Sequence, residues 1–348
     1  MQSFDADRTL ASIVKINNII QIPKANNVML AEINGWQCVI PKDQFHIGDL
    51  AIYFAIDSVP DLTDPNLQFL VKKNVNRIKT MKCVGIISQG LLGPLKWLED
   101  RHFDVSKCRE GDDVTIQMGV KKYVSNDEIE QYDIKPNKFP SNIPKTDEDR
   151  IQNNINMITK LLNRNIIITE KADGCSCTFV YDNGVFNICS RNFICQENDE
   201  KSIHSILATK LDIHQKMISY NKNIAIQGEI VGPKVNCNRM QLDDQTFKVF
   251  NIFDIDNRTY LLYDDVNNIC TQLELDQVKL IYNGNFNKLK ISEIIDTKII
   301  LNGLINMSNS LEYKQGCPAE GMVIKSNDND DRISFKILSN VYLLKHDK

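Results

Sequence analysis

The sequence predicts an α+β protein of two domains, a small closed β-barrel followed by a larger unit that mixes antiparallel sheets with flanking helices. Three observations carry this. The chain has 348 residues and 42% apolar content, more than one ordinary core requires and enough to fill two. Its first third is a series of short β segments separated by turn signals. Beyond a polar stretch punctuated by prolines, strand and helix patterns alternate.

The β segments of the first domain run over Ala11–Ile16, Val28–Ile33, Gln37–Ile40, Leu50–Ala55, Cys83–Ser88 and Asp113–Gln117. Asn34-Gly35, Ile47-Gly48-Asp49 and Glu110-Gly111-Asp112 supply turns between them. That strand count fits a five-stranded OB-type barrel, a frequent nucleic-acid binder, although a β-sandwich accommodates the same strands. Residues 1–125 are assigned to this domain and 126–144 to a linker, because Pro136, Pro140 and Pro144 interrupt both helices and sheets.

The second domain, 145–348, opens with Thr146-Asp147-Glu148-Asp149, which can cap a helix running from Arg150 to about Leu162. Strands are expected at Ile166–Thr169, Cys177–Tyr181, Val185–Ser190, Ile224–Val231 and Lys248–Phe253. Helices are expected at Ser202–Tyr220 and Asp264–Leu280.

Composition excludes several classes. No apolar run approaches the roughly 18 to 20 residues that span a bilayer, and Met1–Arg8 is polar and acidic rather than signal-like. The expectation is an intracellular protein, cytoplasmic rather than nuclear, without a membrane partner and monomeric. Ten cysteines lack CxxC pairing, so neither a zinc site nor a disulfide framework is indicated. A net charge of −4 argues against sequence-independent coating of nucleic acid, so any RNA contact must be local. One stretch stands out. Lys72, Lys73, Arg77, Lys79, Lys82 and Lys96 lie between Val71 and Leu98, where Asp and Glu are absent. A solvated basic face and an RNA path both account for it.

The sharpest local feature is Glu170-Lys171-Ala172-Asp173-Gly174, a lysine closing a β-branched strand before a turn. Alone, KxDG is weak. It is followed in order by Ser190-Arg191-Asn192, Gly228-Glu229-Ile230-Val231-Gly232, Phe250-Asn251-Ile252-Phe253-Asp254, Glu320-Gly321-Met322-Val323-Ile324-Lys325 and Ser334-Phe335-Lys336. In this order and spacing the set resembles the covalent nucleotidyltransferase superfamily of ATP-dependent ligases and mRNA capping enzymes. Upstream, Gly35-Trp36, Ser88-Gln89-Gly90-Leu91-Leu92 and the junction at Lys145-Thr146-Asp147-Glu148 look like the RNA ligases that place an OB domain before the catalytic, nucleotidyltransferase domain. The resemblance covers nearly the whole chain.

It implies an ATP-dependent RNA ligase with Lys171 as the nucleophile that takes AMP. Attack on the α-phosphorus needs a neutral amine, whereas a free lysine has a pKa near ~10.4. Lys336 is expected to disfavour charge on Lys171 and to stabilise the α-phosphate. Asp173, Glu229 and Glu320 are expected to serve Mg²⁺ or Mn²⁺, mostly through water. By resemblance Phe250 stacks on adenine with Val323 or Met322 opposite, while Glu170 meets the exocyclic amine. Phe253 alternates to the other side of its strand and belongs to the core. Arg191 is expected at the ribose or the RNA end, and Arg150 at the outer phosphates of ATP.

Where related ligases often carry a second lysine two residues after Lys336, this chain has Leu338, and a neighbouring role is expected to pass to Lys325 or Lys345. The acidic loop 326–332 is expected to lengthen a hairpin. Only twelve residues follow Lys336, too few for the further OB domain of capping enzymes and most DNA ligases. The expected substrate is RNA with 5′-phosphate and 3′-hydroxyl ends, at a nick in duplex RNA or RNA/DNA, with Lys72, Lys73, Arg77, Lys79 and Lys82 available to the backbone. A DNA ligase, a GTP-using capping guanylyltransferase and an RNA-binding protein with an inactive nucleotidyltransferase fold are the alternatives.

Overall fold

The computed structural model describes residues 9–123, 137–291 and 295–346. The chain divides into two compact units, one comprising residues 1–131 with 152–155 and 343–348, the other 132–151 with 156–342. No helix among the described residues is long and apolar enough to cross a membrane.

The first unit is built from β1 (Ala11–Lys15), β2 (Asn18–Gln21), β3 (Val28–Ile33), β4 (Trp36–Pro41), β5 (Leu50–Phe54), β6 (Ser58–Val59), β7 (Thr80–Cys83), β8 (Ile86–Gln89), β9 (Leu91–Pro94) and β10 (Lys121–Lys122). They pair as β1-β5-β9, β2-β3-β4, β7-β8 and β6-β10. β5 is apolar throughout, and β1 carries apolar Ala11, Ile13 and Val14, because both faces are covered there. Val14, Ala51 and Tyr53 enter one core with Ile33, Trp36 and Cys38, while Ile13, Ile52 and Phe54 enter another with Leu67 and Leu98.

Two expected strands differ here. Residues 83–88 are not one strand but the inner part of the β7-β8 hairpin, turned at Val84 and Gly85, both with positive φ. A β-branched residue at φ 50° gives no turn signal in sequence. Of Asp113–Gln117, only Asp113 bridges to Ser12, and its carboxylate accepts from the Thr115 amide at 2.8 Å, curling the chain into a turn.

The second unit contains two large sheets, chiefly antiparallel, and a two-stranded one at Glu312–Lys314 and Cys317–Pro318. β11 (Asn165–Glu170) lies in one and β12 (Cys175–Asp182), β13 (Val185–Cys189), β14 (Ile224–Val231), β15 (Thr246–Asp254) and β16 (Thr259–Tyr260) in the other, ordered β13-β12-β14-β15-β16. β17 (Asp276–Gln277) joins β15 in parallel. β18 (Leu280–Asn285), β19 (Glu312–Lys314), β20 (Cys317–Pro318), β21 (Gly321–Ser326) and β22 (Ser334–Leu338) follow, and the four-stranded sheet runs β18-β11-β21-β22. Phe179, Ile226, Phe247 and Val249 pack the larger sheet against its helices, Ile203–Lys210, Ile213–Tyr220 and Tyr263–Gln272.

The helix expected from Arg150 to Leu162 is absent as such. The chain stays extended to Arg150, which bridges Lys336 in parallel while the Lys336 amide donates to the Asp149 carbonyl at 2.8 Å. A 3₁₀ turn at Ile151–Asn153 and a helix at Met157–Leu161 follow, separated where Asn154 and Asn156 disfavour continuation. Ser202–Tyr220 is two helices, broken at Asp212 with φ 53°, and the third expected helix ends at Gln272 rather than Leu280. The helix Thr297–Asn309 had no sequence expectation; Asp296 caps it by accepting from Lys298 and Ile299, and it packs on β21 and β22.

Of the expected linker, residues through 136 lie outside the described ones. Residues 137–144 belong to the second unit, with Ile143 buried beside Val180 and Phe253. The acidic loop after β21 does connect a hairpin, and Arg164 holds it through Nε to Asp328 at 2.9 Å.

Candidate active site

Lys171 to Gly174 form the passage from one sheet to the other, since β11 ends at Glu170 in the four-stranded sheet and β12 begins at Cys175 in the larger one. The crossing is tight. A Cβ on Gly174 would stand 2.0 Å from the Ile230 carbonyl oxygen, so only glycine lets β14 pass this closely. The Lys171 amide donates to the Gly321 carbonyl at 2.9 Å, extending the β11-β21 ladder to the nucleophile candidate itself.

The side chains converge from four strands or their ends. Lys171 Nζ donates to Glu320 Oε2 at 2.8 Å, with both side chains partly open to solvent, 25% and 16%. Burial works against charge on Lys171, but the carboxylates of Glu320 and Glu229 outweigh it and hold the amine above the ordinary lysine value. Burial pushes the Glu229 carboxyl up to about 8; Lys171 opposes this, while Glu320 and Asp173 add to it. Thr169, Val323 and Lys336 stand opposite one another across β11, β21 and β22 and so share a sheet face. Lys171 continues the alternation onto the same face. Burial, with Lys171 and Arg150 alongside, brings Lys336 down to about 8.

Asp173, expected beside Glu229 and Glu320 at the metal, is held by protein donors. Its carboxylate accepts from the Tyr342 hydroxyl, from Asn236 Nδ2 at 3.1 Å and from Arg239 Nη1 at 3.3 Å, so both oxygens are engaged by protein donors. Among the described residues no three His, Cys, Asp or Glu side chains group closely enough to hold a metal ion. Glu229 and Glu320 remain a pair of hard oxygen donors bearing on one amine, which suits a cation that keeps its own waters.

The remaining expected residues fall as follows. Phe250 is half-buried beside Ala172, Val231, Met240 and Val278, whereas Phe253 is core, edge-on to Tyr260 with centroids 5.2 Å apart. Val323 is partly open while Met322 is fully buried, which leaves Val323 as the side chain of the two able to meet a base. Burial raises the Glu170 carboxyl. Lys325, expected to take a role beside Lys336, has a buried amine that donates to the Phe250 carbonyl at 2.7 Å and to Asn251 Oδ1 at 2.8 Å, a strut between the two sheets. Burial, reinforced by Arg332, lowers it to about 7. Leu338 is buried.

Arg150 is buried beside Lys336. Arg191 makes a two-pronged bond to Asp147, Nε to Oδ2 at 3.0 Å and Nη2 to Oδ1 at 2.6 Å. In the first unit Lys72, Lys73 and Lys82 are exposed and Lys79 is half-buried. Arg77 differs: it is bonded to Asp57 at 2.6 and 3.2 Å and lies over the Tyr123 ring, so it braces that unit.

Sequence reasoning missed Tyr313, Tyr342, Arg239 and Asn236. Tyr313 donates its hydroxyl to the Lys171 carbonyl at 2.6 Å and accepts from the Glu320 amide at 3.1 Å. None lies within the motif segments, and no periodicity marks them.

Comparison with protein families gives two matches, RNA ligase over residues 164–338 and an OB-fold domain over 10–95. Comparison with the curated protein sequences gives no match. Among solved structures, the chain is similar to a Naegleria gruberi RNA ligase variant with ATP and manganese, at 28% identity, covering 98% of this chain and 100% of that one with a TM-score of 0.85. It is likewise similar to the Naegleria gruberi RNA ligase with pyrophosphate, at 28% identity, 98% and 99% coverage and a TM-score of 0.83. A variant of that ligase with AMP and manganese gives the same identity, 28%, with 98% and 99% coverage and a TM-score of 0.83.

Proposed function

Because the chain belongs to the RNA ligase family, we propose that it seals RNA ends through a lysyl-adenylate on Lys171, acting at nicks in duplex RNA or in RNA/DNA with RNA on the 3′-hydroxyl side. The enzyme is an ATP-dependent RNA ligase, and similar structures hold ATP, AMP, pyrophosphate and manganese. The observation that carries the nucleophile assignment is the Lys171 amine 2.8 Å from Glu320, with the Glu229 carboxylate and the Lys336 amine close enough to act on it.

In the first step the lone pair of Lys171 Nζ forms a bond to the α-phosphorus of ATP, the bond to the β-phosphate bridging oxygen breaks, and pyrophosphate leaves. Lys171 must first lose the proton that its carboxylate neighbours favour. A divalent cation held through water at Glu229 and Glu320 would supply positive charge there and remove that support. Lys336, with Arg150 beside it, opposes the ammonium and would offset negative charge building on the phosphate. Val323 and Phe250 offer apolar surfaces for the base. AMP then passes to the RNA 5′-phosphate, and a 3′-hydroxyl displaces it to make the phosphodiester. Arg191 is held by Asp147 through Nε and Nη2, and its planar guanidinium is the group suited to a terminal phosphate that takes the place of that carboxylate. Support for a duplex substrate is family likeness, together with exposed Lys72, Lys73 and Lys82 in the OB unit, where A-form shape and backbone are the readable features.

Incubation with α-labelled ATP and Mg²⁺ or Mn²⁺ tests the first step. Covalent label on wild type and none on Lys171→Ala is expected. Absence of label from wild type would instead favour an inactive RNA-binding protein, and label from GTP a capping enzyme. Matched nicked duplexes, with RNA or DNA on each side, test the substrate; faster joining of two single strands would overturn the nick assignment.

A further inference from the structure

Lys171 and Glu320 are 149 residues apart, yet their side chains must meet within a hydrogen bond. Each lies one residue outside its strand, since β11 ends at Glu170 and β21 begins at Gly321. The flanking ladders reach each of them by one bond: the Lys171 amide donates to the Gly321 carbonyl at 2.9 Å, and the Ser339 amide donates to the Glu320 carbonyl at 2.9 Å. The Lys171 carbonyl and the Glu320 amide are joined to each other by a single hydroxyl. Tyr313 Oη gives its proton to the Lys171 carbonyl at 2.6 Å and takes the Glu320 amide proton at 3.1 Å.

We propose that Tyr313 is a positioning residue for adenylylation, its hydroxyl setting the separation between the nucleophile and the Glu320 carboxylate. The inference rests on Lys171 being the nucleophile. Tyr313 is itself well anchored. Its segment pairs with β20 through Glu312 opposite Pro318 and Lys314 opposite Cys317, and its ring packs on the Ala172, Val231, Met240 and Val278 cluster. The hydroxyl's hydrogen bonds are both to main chain, so it acts on the reaction only through the geometry of Lys171 and Glu320. Phenylalanine at this position would keep the ring packing and lose both bonds, letting the two ends drift. A misplacement on the order of 1 Å at reacting groups costs up to about 100-fold in rate without a matching loss of affinity.

The test is single-turnover labelling of Lys171 with α-labelled ATP in Tyr313→Phe, over a range of ATP concentrations. The rate at saturating ATP is expected to fall about 10- to 100-fold, with the half-saturating ATP concentration within about twofold of wild type. Site-specific 3-fluorotyrosine at position 313 keeps the ring and hydroxyl but strengthens the donor and weakens the acceptor. It is expected to change the saturating rate without changing the melting temperature, which keeps the test valid if the phenylalanine variant does not fold. An unchanged saturating rate in the folded variants overturns the inference, as does a loss fully recovered by raising ATP. Label on Lys171 in wild type separates either failure from a failure of the nucleophile assignment.

Discussion

Glu229→Gln should make the metal-free protein more stable at alkaline pH while abolishing its activity. Glu229 sits on β14 between Ser176 and Lys248, and burial with the neighbouring Glu320 and Asp173 carries its carboxyl from 4.5 to about 8, against the pull of Lys171. Between those two values the folded protein keeps a proton that the unfolded chain has released, so stability falls as pH rises through this window. At about 1.4 kcal/mol per pH unit, the whole shift corresponds to about 5 kcal/mol. Glu229 is partly open to solvent, and screening reduces this to about 1–2 kcal/mol. For a domain of this size that is about 2–8 °C in melting temperature. Thermal melts in a metal chelator from pH 5 to pH 9 should therefore show the two proteins together at pH 5 and the glutamine variant higher at pH 9. Added Mn²⁺ should raise wild type and leave the variant where it is, since only a binder of the folded state stabilises it. Equal melting at pH 9, or a gap independent of pH, would refute the electrostatic reasoning.

Three further outcomes follow from particular contacts. Gly174→Ala would force a methyl to within 2.0 Å of the Ile230 carbonyl oxygen, so covalent labelling should be lost and stability should drop by at least about 2 kcal/mol in a denaturant titration; a well-folded, active variant would show that the crossing relaxes easily. Lys325→Met should leave the ATP dependence of labelling within about twofold of wild type, because the amine braces Phe250 and Asn251 instead of meeting phosphate. An increase of tenfold or more in half-saturating ATP would restore it to the nucleotide site. Replacing Lys72, Lys73 and Lys82 together with Ala should reduce the slope of log affinity against log salt for nicked duplex RNA by about 3, if all three meet phosphates. An unchanged slope would make them a solvated face.

Much of the fold was legible because strand pattern reports burial locally. β3 and β14 have the bounds expected from their runs of apolar residues, and β5 reads as a continuous hydrophobic segment because both of its faces are covered. Helices were read less well. Breaks at Asp212 and after Gln272, and the extended course through Arg150, follow from a left-handed residue or from pairing with a distant strand, and propensity carries neither signal. The helix Thr297–Asn309 is capped by Asp296, yet Asn302, Gly303 and Asn306 in its interior weaken the helical signal in the sequence.

By itself the sequence determined the kind of chemistry: one lysine closing a strand before a glycine turn, two carboxylates and a second lysine in fixed order behind it. Tertiary structure alone decided how those groups are held. Only in three dimensions do the Asp173 oxygens go to Tyr342, Asn236 and Arg239, does Lys325 turn inward, and does Tyr313 tie Lys171 to Glu320. The physical reason is range. Alternation and capping are set by neighbours a few residues away, whereas the bonds that aim these side chains join residues 142, 149 and 169 positions apart, where no local pattern can register them.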